Sequence, residues 1–162
     1  SSDKKLEYLK DLGVDFPINY TKTDFVEEIL RLRGKSRLDV IFDPIGGSNF
    51  KRSLKVLANG GRIVPFGASS REKKGLLSLL KVGFGFGFHS PVGHIMKSQT
   101  WAGVNMLRIA DNKPELMNFC MNQVIELYKQ GVCKPHIGGV FSANEIGKAH
   151  DFLESRKSIG KL

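Results

Sequence analysis

The chain has 162 residues, enough for one domain with a buried core. Hydrophobic residues make up 41% and charged residues 25%, which excludes a disordered chain. The net charge of +9 attracts anions without choosing among nucleic acid, anionic lipid and phosphorylated cofactors. The densest basic clusters, Lys4-Lys5 and Arg71-Glu72-Lys73-Lys74, are short and lack interleaved aromatics, which argues against nucleic-acid binding. Cys120 and Cys133 form no C-x-x-C pair and support neither a disulfide scaffold nor a zinc site. Cys120 reads as a small buried hydrophobe on the apolar face of a helix. The apolar stretch from Leu76 to Phe88 is broken by Lys81 and three glycines. It falls short of the roughly 20 residues a bilayer span needs. A reducing, cytoplasmic setting is expected.

The predicted elements alternate. Leu6, Leu9 and Leu12 share one face of a helix that Gly13 stops. Phe16, Ile18 and Tyr20 alternate as in a short strand. Asp24 to Glu27 resembles a capping box opening a helix that runs to Gly34. Leu38 to Phe42 is a nearly continuous apolar run, the pattern of a strand buried on both faces. Ser48 is predicted to cap a helix with Phe50, Leu54, Leu57 and Ala58 on one side, ended by Asn59-Gly60-Gly61. Arg62 to Gly67 is the next strand. Residues 68–100 are irregular, with one helical patch from Leu76 to Lys81. A strand resumes over Trp101–Leu107. Asp111 or Asn112 caps, and Pro114 opens, a long helix ending at Gly131. Pro135–Phe141 is strand-like, and Ser142 to Glu145 forms a capping box before a last helix. Alternation of this kind predicts an α/β fold with a doubly wound, Rossmann-type parallel sheet. The usual opening strand and glycine loop do not precede the first helix, so the sheet is expected to be incomplete at its N-terminus.

Ligands of such sheets bind beyond the carboxyl ends of the strands. The candidates there are Ser1, Ser2 and Lys5 at the first helix, Tyr20, the turn Asp43-Pro44-Ile45-Gly46-Gly47, the stretch Phe66-Gly67-Ala68-Ser69, and Val104-Asn105-Met106. A lysine at a helix start opposes the positive end of the dipole, and its place there makes sense if an anion binds. Asp3 leaves open an acidic partner for a ribose hydroxyl. Asp43 reads as a turn former before Pro-x-Gly-Gly rather than a catalytic carboxylate. His89 and His94, five apart around Pro91, lack helical metal spacing, and no metal site is expected. The sequence contains no G-x-S-x-G, HExxH or P-loop motif.

Leu12-Gly-Val-Asp15, Ile18-Asn-Tyr20, Leu38 to Gly47, Leu57 to Arg62 and Phe66-Gly67 follow one another as in the medium-chain dehydrogenases/reductases. They look most like the zinc-free quinone oxidoreductase branch. Lys134-Pro-His-Ile137, Ala149-His150, Leu153 to Arg156 and Gly160-Lys161 match that branch's C-terminal pattern. The basic-apolar insert and Gly103 to Met106 resemble its synaptic-vesicle-membrane-protein group. The resemblance implies an NADPH-dependent oxidoreductase that reduces quinones or other α,β-unsaturated carbonyls by hydride transfer without zinc. Ser2 and Lys5 would hold the 2′-phosphate, and Tyr20 would lie at the adenosine-phosphate end. Ile45 and Gly46 would contact the middle of the cofactor, and Phe66, Gly67 and Ala68 its nicotinamide side. Val104, Asn105 and Met106 would border the site on a strand that commonly pairs two subunits, which implies a homodimer. No catalytic residue is assigned.

The same resemblance implies a partial NADP-binding domain over residues 1–131, lacking its first two strands and glycine loop. Residues 132–162 would return to a catalytic domain outside the chain. Alone, the 162 residues are expected neither to bind NADPH tightly nor to turn over substrate. The alternative is a non-catalytic interaction module that keeps the dehydrogenase fold and uses its basic insert on protein or on a membrane surface.

One stretch imitates a cofactor signature. Gly83-Phe-Gly-Phe-Gly87 alternates glycine as a phosphate loop does, but the fingerprint's sixth place falls on Phe88, and no strand-to-helix context surrounds it. The segment is expected instead to cover the site, meet a second subunit or touch a membrane surface.

Overall fold

The computed structural model describes residues 3–34, 37–67, 84–87, 89–155 and 157–162. The expected basic cluster at residues 71–74 and helical patch at residues 76–81 lie outside the described residues. The chain forms two compact units, Ser1–Arg108 and Ile109–Leu162.

The first unit opens with α1 (Asp3–Asp11) and α2 (Phe25–Arg33). Asp24 caps α2 by accepting from Val26 N at 2.8 Å and Glu27 N at 3.4 Å. Gly34 ends it at φ 55°, a conformation that favours glycine. The expected strand at residues 16–20 is not formed: Phe16 to Asn19 run as coil and Tyr20 enters a turn. Alternation sets only which way side chains point, whereas a strand needs a ladder partner, and no described strand pairs with this segment. Asn19 organises it instead. Its Oδ1 accepts from Thr21 N at 3.0 Å and Thr21 Oγ1 at 2.6 Å, and its Nδ2 donates to Asp3 Oδ1 at 2.6 Å.

β1 (Leu38–Asp43), β2 (Leu57–Pro65) and β3 (Thr100–Trp101) form a parallel sheet in that order, with α3 (Ser48–Ser53) joining the first two. The chain is thus α/β, as expected. β2 starts earlier than the sequence suggests, and α3 is correspondingly shorter. Leu54, Leu57 and Ala58 fit helical spacing, but Val56 and Leu57 are buried, and Leu38 N donates to Val56 O at 2.8 Å. Burial and ladder bonds take these residues into the strand. The span Leu38–Val40 on β1 therefore faces Leu57–Arg62 on β2, a bulge. Gln99 Nε2 donates to the bulge carbonyls of Leu57 and Ala58, at 3.3 and 3.2 Å.

Phe50, Leu57 and Ile63 make the core, with Ile41, Leu54, Phe86 and Trp101 packed against them. β1 is not buried on both faces as expected. Ile41 turns toward the core, whereas Val40 and Phe42 are exposed, because β1 lies at the end of the strand order and no described layer covers that side. α4 (Pro91–Lys97) precedes β3, with Ser90 Oγ accepting from Val92 N at its start. The expected strand over Trp101–Leu107 is cut short. Ladder bonds continue from Ala102 N to Ile63 O (3.0 Å) and Val104 N to Pro65 O (2.9 Å), and then α5 (Met106–Asn112) begins.

In the second unit, α6 (Pro114–Lys129) starts at its proline and ends before Gly131, as expected. Asp111 and Asn112 do not cap it, since they close α5. Cys120 is exposed rather than buried, because Leu116, Phe119, Val124 and Leu127 on the same helix are themselves uncovered. A 3-10 turn (Ala143–Glu145) leads into α7 (Ile146–Glu154). Ser142 Oγ makes no cap bond to the backbone, so half of the expected capping box is missing, while the Ser142 backbone N–H bonds the Glu145 carboxylate. The strand-like tail contributes a single parallel bridge, Ile137 to Lys161, with Gly138 N donating to Lys161 O at 2.7 Å.

Candidate cofactor site

β1 ends in Asp43, which is 1% exposed. Its Oδ1 accepts from Ile45 N (2.9 Å), Gly46 N (3.1 Å) and Asn49 Nδ2 (3.2 Å), so the carboxylate shapes the turn into α3. The turn-former reading of Asp43 matches this geometry. Its Oδ2 is buried with no hydrogen-bond partner among the described residues. Phe66 N donates to Asp43 O at 3.0 Å, which joins the carboxyl ends of β1 and β2.

Close packing explains the glycines here. A Cβ on Gly46 (φ +70°) would stand 2.8 Å from Phe86 Cζ, and one on Gly67 would collide with the Pro44 carbonyl. A Cβ on Gly85 would stand 2.9 Å from Ser48 N. The Phe84–Gly87 stretch therefore lies tight on the start of α3, with residues 84–86 forming one helical turn. Phe86 packs tilted against Phe50 with centroids 5.1 Å apart, and Phe50 meets Trp101 edge-on at 4.8 Å. His89 and His94 flank Trp101 at 4.4 and 3.9 Å, and His89 Nε2 lies 2.5 Å from Phe86 O. The two histidines serve this aromatic cluster.

Beside this packed end lies a groove of about 580 Å³, a volume suited to a small-molecule site. Ile18, Tyr20 to Phe25, Ile45, Asn49 and Arg52 contribute its walls. Tyr20 is 65% exposed and Ile45 41%, so both offer apolar surface to a ligand. Both cations in the wall are paired. Lys22 Nζ meets Asp3 Oδ2 at 2.5 Å, and Arg52 meets Asp24. The Lys22 ammonium and the Asn19 amide hold the Asp3 carboxyl below its ordinary range. The Val26 and Glu27 amides, with Arg52, do the same for Asp24.

The predicted site residues do not all come together. Tyr20 and Ile45 meet in the groove. Gly46, Phe66, Gly67 and Val104 gather at the carboxyl ends of the strands. Ser2 and Ala68 lie outside the described residues. Lys5 sits in the first turn of α1 and is half-buried. Asn105 and Met106 do not lie within a strand as expected. Asn105 Oδ1 accepts from Arg108 N at 3.2 Å, a helix cap, and Met106 opens α5. Sequence reasoning missed Arg52, Asn49 and Phe25 as groove residues. The one signal for Asn49 and Arg52 was their position one and two turns after the Gly46-Gly47 turn. Among the described residues no group of three or more His, Cys, Asp or Glu side chains could hold a metal ion.

A parallel sheet of three strands with helices between them defines an α/β protein of the Rossmann type. The zinc-binding dehydrogenase family matches residues 12–162, and the chain belongs to that family, within the medium-chain dehydrogenase/reductase superfamily. A synaptic vesicle membrane protein VAT-1 homolog of Danio rerio is 31% identical over 166 residues, spanning all of this chain and 34% of the relative. Prostaglandin reductase-3 of Mus musculus is 30% identical over 181 residues, spanning all of this chain and 43% of the relative. The chain thus covers well under half the length of these relatives. Among solved structures, an NAD-dependent alcohol dehydrogenase aligns with a TM-score of 0.67 at 27% identity, over 99% of this chain and 40% of the other. The apo form of JamJ enoyl reductase aligns with a TM-score of 0.75 over 99% of this chain and 44% of the other, a likeness of fold at 22% identity.

Proposed function

We propose that the chain is the cofactor-binding part of an NADPH-dependent oxidoreductase that reduces quinones or other α,β-unsaturated carbonyls without zinc. The groove that brings Tyr20 to Ile45 beside the end of β1 carries this reading. Its size and exposed apolar walls suit the adenosine end of a dinucleotide. When bound, the nicotinamide supplies the hydride. This chain's own residues bind and orient it: Phe66 and Gly67 approach through backbone, while Val104 borders the site. Asp3 supports NADPH over NADH. Asn19 and Lys22 each bond one of its carboxylate oxygens, which leaves this acid less available to a ribose hydroxyl. Lys5, with Ser2 beyond the described residues, is then the group to meet a 2′-phosphate. Relatives named prostaglandin reductase-3 and quinone oxidoreductase-like protein 2 support the choice of substrate class. The reading carries with it a cytoplasmic homodimer paired beside β3, whose basic insert touches membrane surfaces peripherally.

The test is thermal unfolding of the full-length protein with each cofactor. NADPH at about one hundred times its Kd stabilises by about 2.7 kcal/mol, and NADH does so less. Relatives named for synaptic vesicle membranes favour one second reading, a non-catalytic interaction module. No shift with either cofactor selects that module. Quinone reduction by the isolated 162-residue chain at an enzyme-like rate would overturn the expectation that it is inactive alone.

A further inference from the structure

Arg52 does not belong to the residues expected to hold the cofactor, yet it stands in the groove wall in a defined pose. Its guanidinium carbon lies 4.5 Å from the centroid of the Phe25 ring. Asp24 fixes its edge through an ion pair, and the same carboxylate is anchored by the Val26 and Glu27 amides. A guanidinium stacked on a ring and held by a carboxylate is a pre-oriented plane, unlike a free surface arginine. The charges around the groove also balance. Lys22 is offset by Asp3 and Arg52 by Asp24, so the wall is not a strong anion trap. Tyr20 and Phe25 provide aromatic surface in the same wall, and Thr21, Thr23 and Asn49 provide hydroxyl and amide groups. Such a lining suits the uncharged, planar part of a nucleotide rather than its phosphates.

We propose that Arg52, aligned by Asp24 and laid on Phe25, is a recognition residue for the purine base of a nucleotide in this groove. The inference rests on the cofactor reading above and adds the residue that selects the base. Arg52 offers a flat cationic face for stacking and N–H donors for ring acceptors.

The test uses the full-length protein with three probes: NADPH, 2′,5′-ADP and reduced nicotinamide mononucleotide. Binding is measured by calorimetry and folding by melting temperature. Arg52→Ala is expected to weaken NADPH and 2′,5′-ADP about tenfold while leaving the mononucleotide unchanged. Arg52→Lys, which keeps the charge and loses the plane, is expected to lose nearly as much. Phe25→Leu, which keeps apolar bulk and removes the ring, is expected to show the same selective loss, so the result does not depend on one variant's folding. Wild-type affinity in Arg52→Ala, with NADPH still bound, would overturn the role of Arg52 and leave the cofactor reading intact. Wild-type affinity in Arg52→Lys alone would overturn the stacked plane in favour of a point charge. Failure of the wild type to bind any of the probes would overturn both.

Discussion

The carboxyl ends of β1 and β2 and the groove beside Tyr20 belong to one unit and share Ile45 and Asn49, yet they use space in opposite ways. At the strand ends the chain's own atoms fill the room. Asp43 accepts three hydrogen bonds, Phe86 lies on Gly46, and Gly85 lies on Ser48 N. In the groove, side chains line about 580 Å³ of space, and Tyr20 and Ile45 keep large exposed areas. The packed region is built as a scaffold, and the open one leaves room for the proposed ligand. Asp43 connects them, because two of its three donors belong to groove residues.

Breaking the packed side has the largest expected effect. Phe50→Ala removes the ring shared by Phe86, Trp101 and the core, and is expected to cost about 3–5 kcal/mol in denaturant unfolding. A cost within experimental error would mean that the core lies elsewhere. Asp43→Ala strands three donors and is expected to cost about 1–3 kcal/mol. Asp43→Asn keeps one acceptor oxygen in place and should cost less. Equal losses in the two variants would show that the turn does not depend on Oδ1. Gly85→Ala pushes the Phe84–Gly87 stretch off α3 at a cost of about 1 kcal/mol. Trp101, the only tryptophan, reports this through altered fluorescence, and an unchanged spectrum would argue against a seated stretch.

The smallest effect lies on the groove side and depends on pH. The Asp24 carboxyl is held below its ordinary value of 3.8 by the Val26 amide first, then by Glu27 and Arg52. A folded pKa below the unfolded one gives stability that is present above the unfolded value and lost as pH falls through the folded one. Asp24→Asn keeps a cap but removes the charge. Wild type should therefore exceed this variant near neutral pH, and the difference should shrink as pH falls below about 4. A difference unchanged down to about pH 2, followed by circular dichroism, would contradict the assignment.

Helix ends were legible where a residue type has one local job. Asp24 and Gly34 bound α2, and Pro114 and Gly131 bound α6, through backbone chemistry the sequence carries directly. The Asp43 turn was legible for the same reason, and the parallel order of β1 and β2 from the strand–helix–strand alternation. The stretch at Phe16–Tyr20 misled because alternation cannot supply a ladder partner. The Leu54–Ala58 stretch misled because helical and strand spacing coincide over so few residues, and burial of Val56 and Leu57 decided between them. Asn105 became a helix cap once the ladder ended at Val104. Within the site, Tyr20 was named from the end of a strand that does not form, whereas Ile45 could be named from its place after β1. Arg52 could not, since its significance comes from Asp24, 28 residues away, and from the Phe25 ring. The alternating glycines around Phe84 and Phe86 looked like a phosphate loop. Gly85 instead admits the α3 backbone, and Gly46 admits the Phe86 ring.

The most direct test is a crystal structure of the full-length protein with NADPH. The account predicts the adenosine end in the groove between Tyr20 and Ile45, its base against Arg52, and the nicotinamide running toward Phe66 and Val104. A cofactor bound elsewhere, with the groove holding only solvent, would contradict it.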